Sequence, residues 1–187
     1  MGLPEIFISF QTAAVSAITR SARGVLAVAV KDATEGGAAE AAYKSLAEVP
    51  EDKFSPENYR LLKLAFLAAP TKVWVLRVGE DAEKTYQALE RLRFDWLAAP
   101  GLDDAKVMSF IKTLRNGGRG VKAVVANATA PDCEGIVNLC VSGLTLEDGA
   151  MEAKDYAVRV AALLAALPLT RSATYVNLPE VVGCDAL

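Results

Sequence analysis

Short, nearly continuous apolar runs alternate with longer stretches of helical periodicity from about residue 23 onward. The strand candidates are residues 24–30, 72–78, 94–99, 121–126, 136–141 and 173–178. Runs of this kind are typical of strands that are covered on both faces of a sheet, because neither side then needs polar residues. The regular alternation of strand and helix favours βαβ units on a mainly parallel sheet.

Four helices are predicted between these strands. They run from the N-cap Ser55 to Pro70, over residues 81–92, over residues 103–116 and over residues 151–167. Pro56 stands at the first helical position, where proline is well tolerated. Gly117 is expected to supply the left-handed residue after the third helix. An alanine-rich face should let the fourth helix approach the sheet closely. The pattern predicts one three-layer α/β domain over residues 23–180.

Residues 1–22 do not fit that domain and predict an extended N-terminal β arm. Ile6, Ile8 and Phe10 would share one face of a strand over residues 5–10, and Phe7 would lie on the other face. A strand this apolar needs a partner, which is either an edge of its own sheet or an edge in another chain. At the other end, residues 181–187 are expected to begin a further C-terminal region.

Charge is divided unevenly along the chain. The protein has 187 residues, and 20 Lys and Arg stand against 23 Asp and Glu, so the net charge is −3 and a basic nucleic-acid-binding protein is excluded. Residues 1–31 hold Arg20, Arg23 and Lys31 against one acid, whereas residues 32–60 hold seven acids and three bases. This segregation could favour head-to-tail contact between copies; the alternative is a solvated loop.

Little in the sequence points to catalysis. The chain has no His, which removes the usual general base and many metal sites. Glycines at 117, 118 and 120 follow a helix and precede a strand, the wrong order for a phosphate-binding loop. The acids Asp81, Asp103, Asp104 and Asp132 could hold Mg²⁺, but Asp81 and Asp103 also stand where helix N-caps belong. Ser109 and Lys112 do not make a convincing dyad. We therefore predict no catalytic residue and no cofactor.

The cysteines and the hydropathy of the chain indicate the cellular compartment in which it folds. Cys133, Cys140 and Cys184 show no metal-ligand spacing, and mostly buried, reduced thiols are predicted. Neither a signal peptide nor a membrane span is predicted. These features favour folding in a reducing cytoplasm.

Several segments, taken in order, resemble one family. They are residues 2–10, 20–28, 43–49, 58–66, 72–78, 167–175 and 178–181. Together they resemble the contractile tail sheath proteins of phages and phage-tail-like particles of Gram-positive bacteria. The resemblance covers nearly the whole chain and implies a structural subunit, not an enzyme. Sheath proteins of this kind are longer, with a C-terminal domain that faces the tail tube.

The resemblance implies a homo-oligomer of stacked rings that forms a helical sheath around a tail tube and contracts to drive the tube through a cell envelope. Its implied partners are the tube, baseplate and tail terminator proteins, with no nucleic acid and no membrane span. It places the protein in a virion tail or similar particle assembled in the bacterial host cytoplasm. The implied inter-subunit arm carries Ile6, Phe7, Ile8, Phe10, Arg20 and Arg23. The alternatives are a Mg²⁺-dependent phosphoryl-handling α/β enzyme and a plain scaffold domain.

Overall fold

The computed structural model describes residues 24–127, 131–168 and 170–186. The strands are β1 Val25–Val30, β2 Glu40–Tyr43, β3 Lys72–Arg77, β4 Trp96–Ala98, β5 Lys122–Val125, β6 Ile136–Asn138, β7 Val141–Leu146, β8 Gly149–Ala150 and β9 Val181–Ala186. The helices are α1 Pro56–Phe66, α2 Ala82–Arg91, α3 Asp104–Asn116 and α4 Ala153–Ala166.

Six strands form the main sheet, in the order β2-β3-β1-β4-β5-β6. All neighbouring pairs are parallel except β2 with β3, which is antiparallel. The central strand β1 is almost wholly buried, as its apolar sequence predicts: Leu26, Ala27, Val28 and Ala29 expose none of their surface. The predicted mainly parallel sheet is confirmed.

Helices cover both faces of this sheet. On one face α2 and α3 pack Leu89 and Ile111 against the sheet. On the other face α1 and α4 pack Leu62 and Val158 against it. The small residues of α4 are buried as the pattern predicts, with Ala161 and Ala162 fully covered. The predicted three-layer α/β architecture is confirmed.

Three helix beginnings were predicted from capping residues, and all three are confirmed. Ser55, Asp81 and Asp103 stand at the N-caps of α1, α2 and α3, and each side chain accepts a hydrogen bond from a backbone amide of the first turn.

The predicted role of Gly117 as the left-handed residue after α3 is wrong. Its φ is −78°, and the left-handed residue is the next one, Gly118, with φ 84°. Two successive glycines let the turn form one residue later.

A second sheet, with the order β8-β7-β9, was not predicted. The expected single strand at 136–141 is wrong, because β6 ends in the main sheet at Asn138 and β7 begins in the small sheet at Val141. Side chains of β7 and α4 form a separate apolar cluster beneath the small sheet, with Leu144, Leu146 and Tyr156 buried in it.

The strand expected at residues 173–178 is also wrong. These residues form turns in which backbone groups bond locally: the Arg171 amide donates to the Pro168 carbonyl at 2.9 Å and the Thr174 amide donates to Ser172 Oγ at 3.0 Å. The side chains at 171–175 are exposed. The apolar and β-branched residues here favour a strand, but in the described part of the chain they pair with no neighbouring strand. The strand comes later, as β9.

Candidate interaction surfaces

The predicted arm residues Ile6, Phe7, Ile8, Phe10, Arg20 and Arg23 lie outside the described residues. What the structure does give is the point at which residue 24 joins the α/β domain. This arm root is defined by Gly24, Val25, Thr71, Asp95 and Ala165.

The arm root is held by several backbone contacts. Gly24 and Val25 donate their amides to Asp95 Oδ2 at 2.8 and 3.0 Å. The Gly24 carbonyl accepts from the Thr71 amide at 3.0 Å. Gly24 has a φ of 100°, and a Cβ here would lie 3.1 Å from the Ala165 carbonyl oxygen and from Thr71 Oγ1. Glycine is required for both reasons, so the chain enters β1 along a fixed path.

The small sheet is attached to α1 through its β7–β8 turn. Arg60 of α1 forms a two-point pair with Asp148, with Nε 2.7 Å from Oδ2, and also donates to the Gly149 and Ala150 carbonyl oxygens. The hydrogen bond from Arg60 lowers the pKa of Asp148. The Asp148 side chain remains 59% exposed, so this pair adds modestly to stability.

A second, buried pair attaches the other end of the small sheet to α4. Arg159 Nε lies 2.6 Å from Glu180 Oε1, and the side chains are only 6% and 12% exposed. Tyr156 donates its hydroxyl to the same oxygen at 3.0 Å. Burial alone would raise the pKa of Glu180, but the hydrogen bonds from Arg159 and Tyr156 outweigh it and the pKa is lowered. Sequence reasoning missed Arg159, whose position on an alanine-rich helix carries no local signal of a distant carboxylate.

Acids at the carboxyl ends of the strands make caps and ion pairs. Asp81 accepts from the Glu83 amide and Asp103 from the Lys106 amide, each at 3.0 Å. Asp104 lies 3.5 Å from the ammonium of Lys154. In residues 24–127, 131–168 and 170–186 no group of three or more Cys, Asp or Glu side chains is placed to hold a metal ion. The cap interpretation is the one that the geometry supports.

Asp32, just after β1, organises the long connection to α1 and was not singled out from the sequence. It accepts from the Thr34 and Ser55 amides at 2.9 and 3.0 Å and from the Asn58 side-chain amide at 2.7 Å. Arg77 lies 3.7 Å away, and the Asp32 side chain is fully buried. Burial favours the neutral acid, but these hydrogen bonds outweigh it and hold the pKa of Asp32 well below its usual range.

The outer edge of β6 borders an open groove with a volume of about 560 Å³. It is lined by Pro131, Asp132, Cys133, Glu134, Ile136, Asn138 and Cys140. Asp132 therefore lies at the β6 edge.

Cys140 and Cys184 are exposed and Cys133 is half-buried, so the prediction of mostly buried thiols is wrong. All three cysteines are free.

Ser109, considered above with Lys112 as a catalytic dyad, donates its hydroxyl hydrogen bond to the Ala105 carbonyl, four residues earlier in α3. That bond is an ordinary one for a helical serine. Within the described parts of the chain, no helix combines the length and the apolar character needed to cross a bilayer.

No protein-family model matches the chain. A curated relative, the tail sheath protein of Clostridium phage phiCD119, is 33% identical over 197 aligned positions, which cover 96% of this chain and 53% of the relative. The chain thus spans about half the length of the curated relative that it matches. Being a sheath protein, that relative supports the prediction that the chain is not an enzyme.

Three solved structures share the fold. The sheath tail proteins of Listeria innocua and Desulfitobacterium hafniense each match with a TM-score of 0.72, at 17% and 15% identity. The first match covers 87% of this chain and 60% of that structure, and the second covers 96% and 66%. The contracted helical sheath of the anti-feeding prophage matches with a TM-score of 0.56 at 12% identity, covering 89% of this chain and 51% of that one. The curated relative and all three structures are sheath proteins, in agreement with the prediction that the chain is not an enzyme. The resemblance seen in the sequence is likewise confirmed: the chain is related to the phage tail sheath proteins and corresponds to part of one.

Proposed function

We propose that this chain is the amino-terminal and α/β portion of a contractile sheath subunit that polymerises as a helical array around a tail tube. Contraction of the array drives the tube through a cell envelope. The observation that carries the proposal is the 33% identity to a phage tail sheath protein across 96% of the chain. A fold shared with a sheath in its contracted state supports it.

The proposal includes the partners and the place of the protein. The sheath contacts the tail tube along its length and the baseplate and tail terminator proteins at its ends. It belongs to a virion tail or a phage-tail-like particle that assembles in the bacterial host cytoplasm. The division proposed is a linker arm at 1–22, the α/β domain at 23–180, and residues 181–187 leading into a further region, since the curated relative is about twice as long.

The arm is proposed to link neighbouring subunits by adding a strand to another copy. Ile6, Ile8 and Phe10 form its apolar face and Phe7 the opposite one, while Arg20 and Arg23 lie close to the arm root in sequence. A fixed root at Gly24 supports this role, because force on the arm is then carried directly into β1, the central strand of the main sheet.

The test is deletion of residues 1–12, with assembly around supplied tail tube followed by negative-stain electron microscopy. Strand exchange predicts that sheath assembly is lost while the melting temperature of the isolated chain stays within about 2 °C. Ile8→Asp should reproduce the loss of assembly, whereas Ser9→Asp on the opposite face of the strand should assemble. A melting temperature lower by many degrees after deletion would show that the arm belongs to its own domain. Normal sheaths from the deleted chain would refute the linking role.

A further inference from the structure

The four helices of the α/β domain all point in the same direction, antiparallel to the five parallel strands. Helices α1, α2 and α3 each lead into the start of the next parallel strand. At the beginning of α4, Lys154 donates to the Leu102 carbonyl near the start of α3, and at its end Ala165 lies beside Gly24. Two opposite ends of the domain can therefore be defined, one with the helix N-termini and one with the helix C-termini.

The end with the helix N-termini, which we name the acidic end, carries more acids than bases. Apart from the Asp32–Arg77 pair, whose charges cancel, its acids are Glu51, Asp52, Glu57, Glu80, Asp81, Glu83, Asp103, Asp104, Glu152 and Asp155, and its bases are Lys31, Lys53, Lys84, Lys106 and Lys154. These acids also act on a buried side chain. Burial, together with the negative charges of Asp103, Glu83 and Asp104, raises the pKa of Tyr86 to about 12.

Helix dipoles explain part of this excess but not all of it. Acids are favoured near helix N-termini, and Asp81 and Asp103 serve as caps. Each N-terminus contributes only about half a positive charge, so four helices offset roughly two of the acids. A net negative surface therefore remains, with Glu80 and Glu83 exposed on it.

The opposite end, named the basic end, carries Lys72, Arg91, Arg93, Arg119 and Lys122. Among the described residues none of these five forms an ion pair with a carboxylate. Arg119 donates to the Glu90 and Leu92 carbonyl oxygens and lies 5.3 Å from the Phe94 ring centre. Lys72 and Lys122 lie over the Trp74 and Trp96 rings, at 5.0 and 5.3 Å.

Two carboxylates near the basic end, Glu90 and Asp95, offset part of its positive charge. Asp95 keeps its charge while accepting from the amides of Gly24 and Val25, and Arg115 at the end of α3 is paired with Glu134. Carbonyls and aromatic rings orient the cations without cancelling their charge. Five cations stand against these two carboxylates and the roughly two negative charges of the helix C-termini, so the described part of this end keeps a small net positive charge.

From these two surfaces we infer that the acidic end of one copy of this chain binds the basic end of the next, head to tail. The partner is a second copy because the complementary surface is present on the same molecule. A contact between two different surfaces repeats without closing on itself, so it builds a filament or helical array and not a closed dimer. The inference rests on the proposed function and adds to it the surfaces that successive subunits use.

The test compares four variants of the 187-residue chain by sedimentation velocity at about 20 mM and about 0.5 M salt, where charge screening is weak and strong respectively. One variant reverses the basic end (Arg91→Glu with Arg93→Glu) and one reverses the acidic end (Glu80→Lys with Glu83→Lys). The third combines all four changes, which restores the wild-type net charge. The matched control, Lys63→Glu with Lys112→Glu, makes the same charge change as the basic-end variant on exposed sides of α1 and α3.

We expect concentration-dependent association of the wild-type chain at low salt that is lost at high salt. Either reversal should weaken it at least about tenfold, the combined variant should recover it, and the control should associate like wild type. Circular dichroism melting verifies that each variant is folded, and these exposed positions should leave it unchanged. Undiminished association of either reversed variant, failure of the combined variant to recover, or a monomeric wild-type chain at low salt would overturn the inference.

Sheath assembly around the tube separates this inference from the proposed function. If both reversed variants build normal sheaths while deletion of residues 1–12 abolishes them, the charged contact is wrong and the sheath role stands. If the full-length wild-type subunit that contains this chain builds no sheath although the charged ends associate, the proposed function is wrong and the contact stands.

Discussion

Asp32 shows how one buried carboxylate can organise a long connection. The connection from β1 to α1 is long and includes β2, and three donors and Arg77 converge on this side chain where the connection leaves β1. Without the carboxylate charge, the buried Arg77 guanidinium loses its counter-ion, and the Thr34 and Ser55 amides lose a charged acceptor. We expect Asp32→Asn to lower the free energy of unfolding by about 2–4 kcal/mol at pH 7, measured by urea denaturation.

The same residue makes stability depend on pH in a defined direction. Its pKa is lower in the folded state than in the unfolded chain, where it is about 3.9. The carboxylate therefore contributes its full stabilisation above about pH 4 and loses it as the pH falls toward the folded-state pKa. Asp32→Asn should reduce the loss of stability between pH 5 and pH 3. Asp52→Asn, at a 72% exposed side chain nearby, is the control and should cost less than about 0.5 kcal/mol. Equal effects at the two positions would contradict the role given to Asp32.

At the scale of elements, the small sheet depends on two attachments of unequal strength. The Arg159–Glu180 pair is buried and the Arg60–Asp148 pair is largely exposed. Glu180→Gln leaves the Arg159 charge buried without a counter-ion, so we expect a loss of about 3 kcal/mol in unfolding free energy. Arg60→Met should cost less than about 1 kcal/mol.

A double variant separates the value of the charge from the value of the packing. Arg159→Met with Glu180→Leu removes both charges and fills the space with apolar groups, and it should recover at least half of the loss seen in Glu180→Gln. Thermal and urea unfolding give the comparison. If the double variant were no more stable than Glu180→Gln, the lost packing and the Tyr156 hydrogen bond would outweigh the unpaired charge.

At the scale of the whole molecule, the two sheets should differ in how readily they open. The main sheet lies between two helical layers, whereas most residues of β7, β8 and β9 are partly or fully exposed and rest on a small apolar cluster. Local opening is favoured where few apolar contacts are lost. After correction for intrinsic rates, we expect amides of β1 and β4 to exchange with deuterium at least about 100-fold more slowly than those of β7 and β9. Equal protection of both sheets would show that they open only together.

Much of the architecture could be predicted from local pattern, because its causes are local. A run such as residues 24–30 is short, apolar on both sides and rich in Val, which favours a strand covered on both faces. Ser55, Asp81 and Asp103 identify helix beginnings because capping joins a side chain to amides a few residues away. Of the acids that follow strands, Asp81 and Asp103 could be assigned to caps for this reason, whereas the ion pair of Asp104 with Lys154 could not be predicted.

The sequence by itself thus determined the strand–helix alternation, the three layers, the capped helix ends and the resemblance to sheath proteins. Only the tertiary structure decided the placement of β2 and β9, the division of residues 136–141 between two sheets, the burial of Asp32 and the Arg159–Glu180 pair. The opposed acidic and basic ends also emerged only from the common direction of the helices. Each of these depends on groups distant in the chain: a strand forms where an edge offers unpaired backbone groups, and a charge is buried where its partners converge.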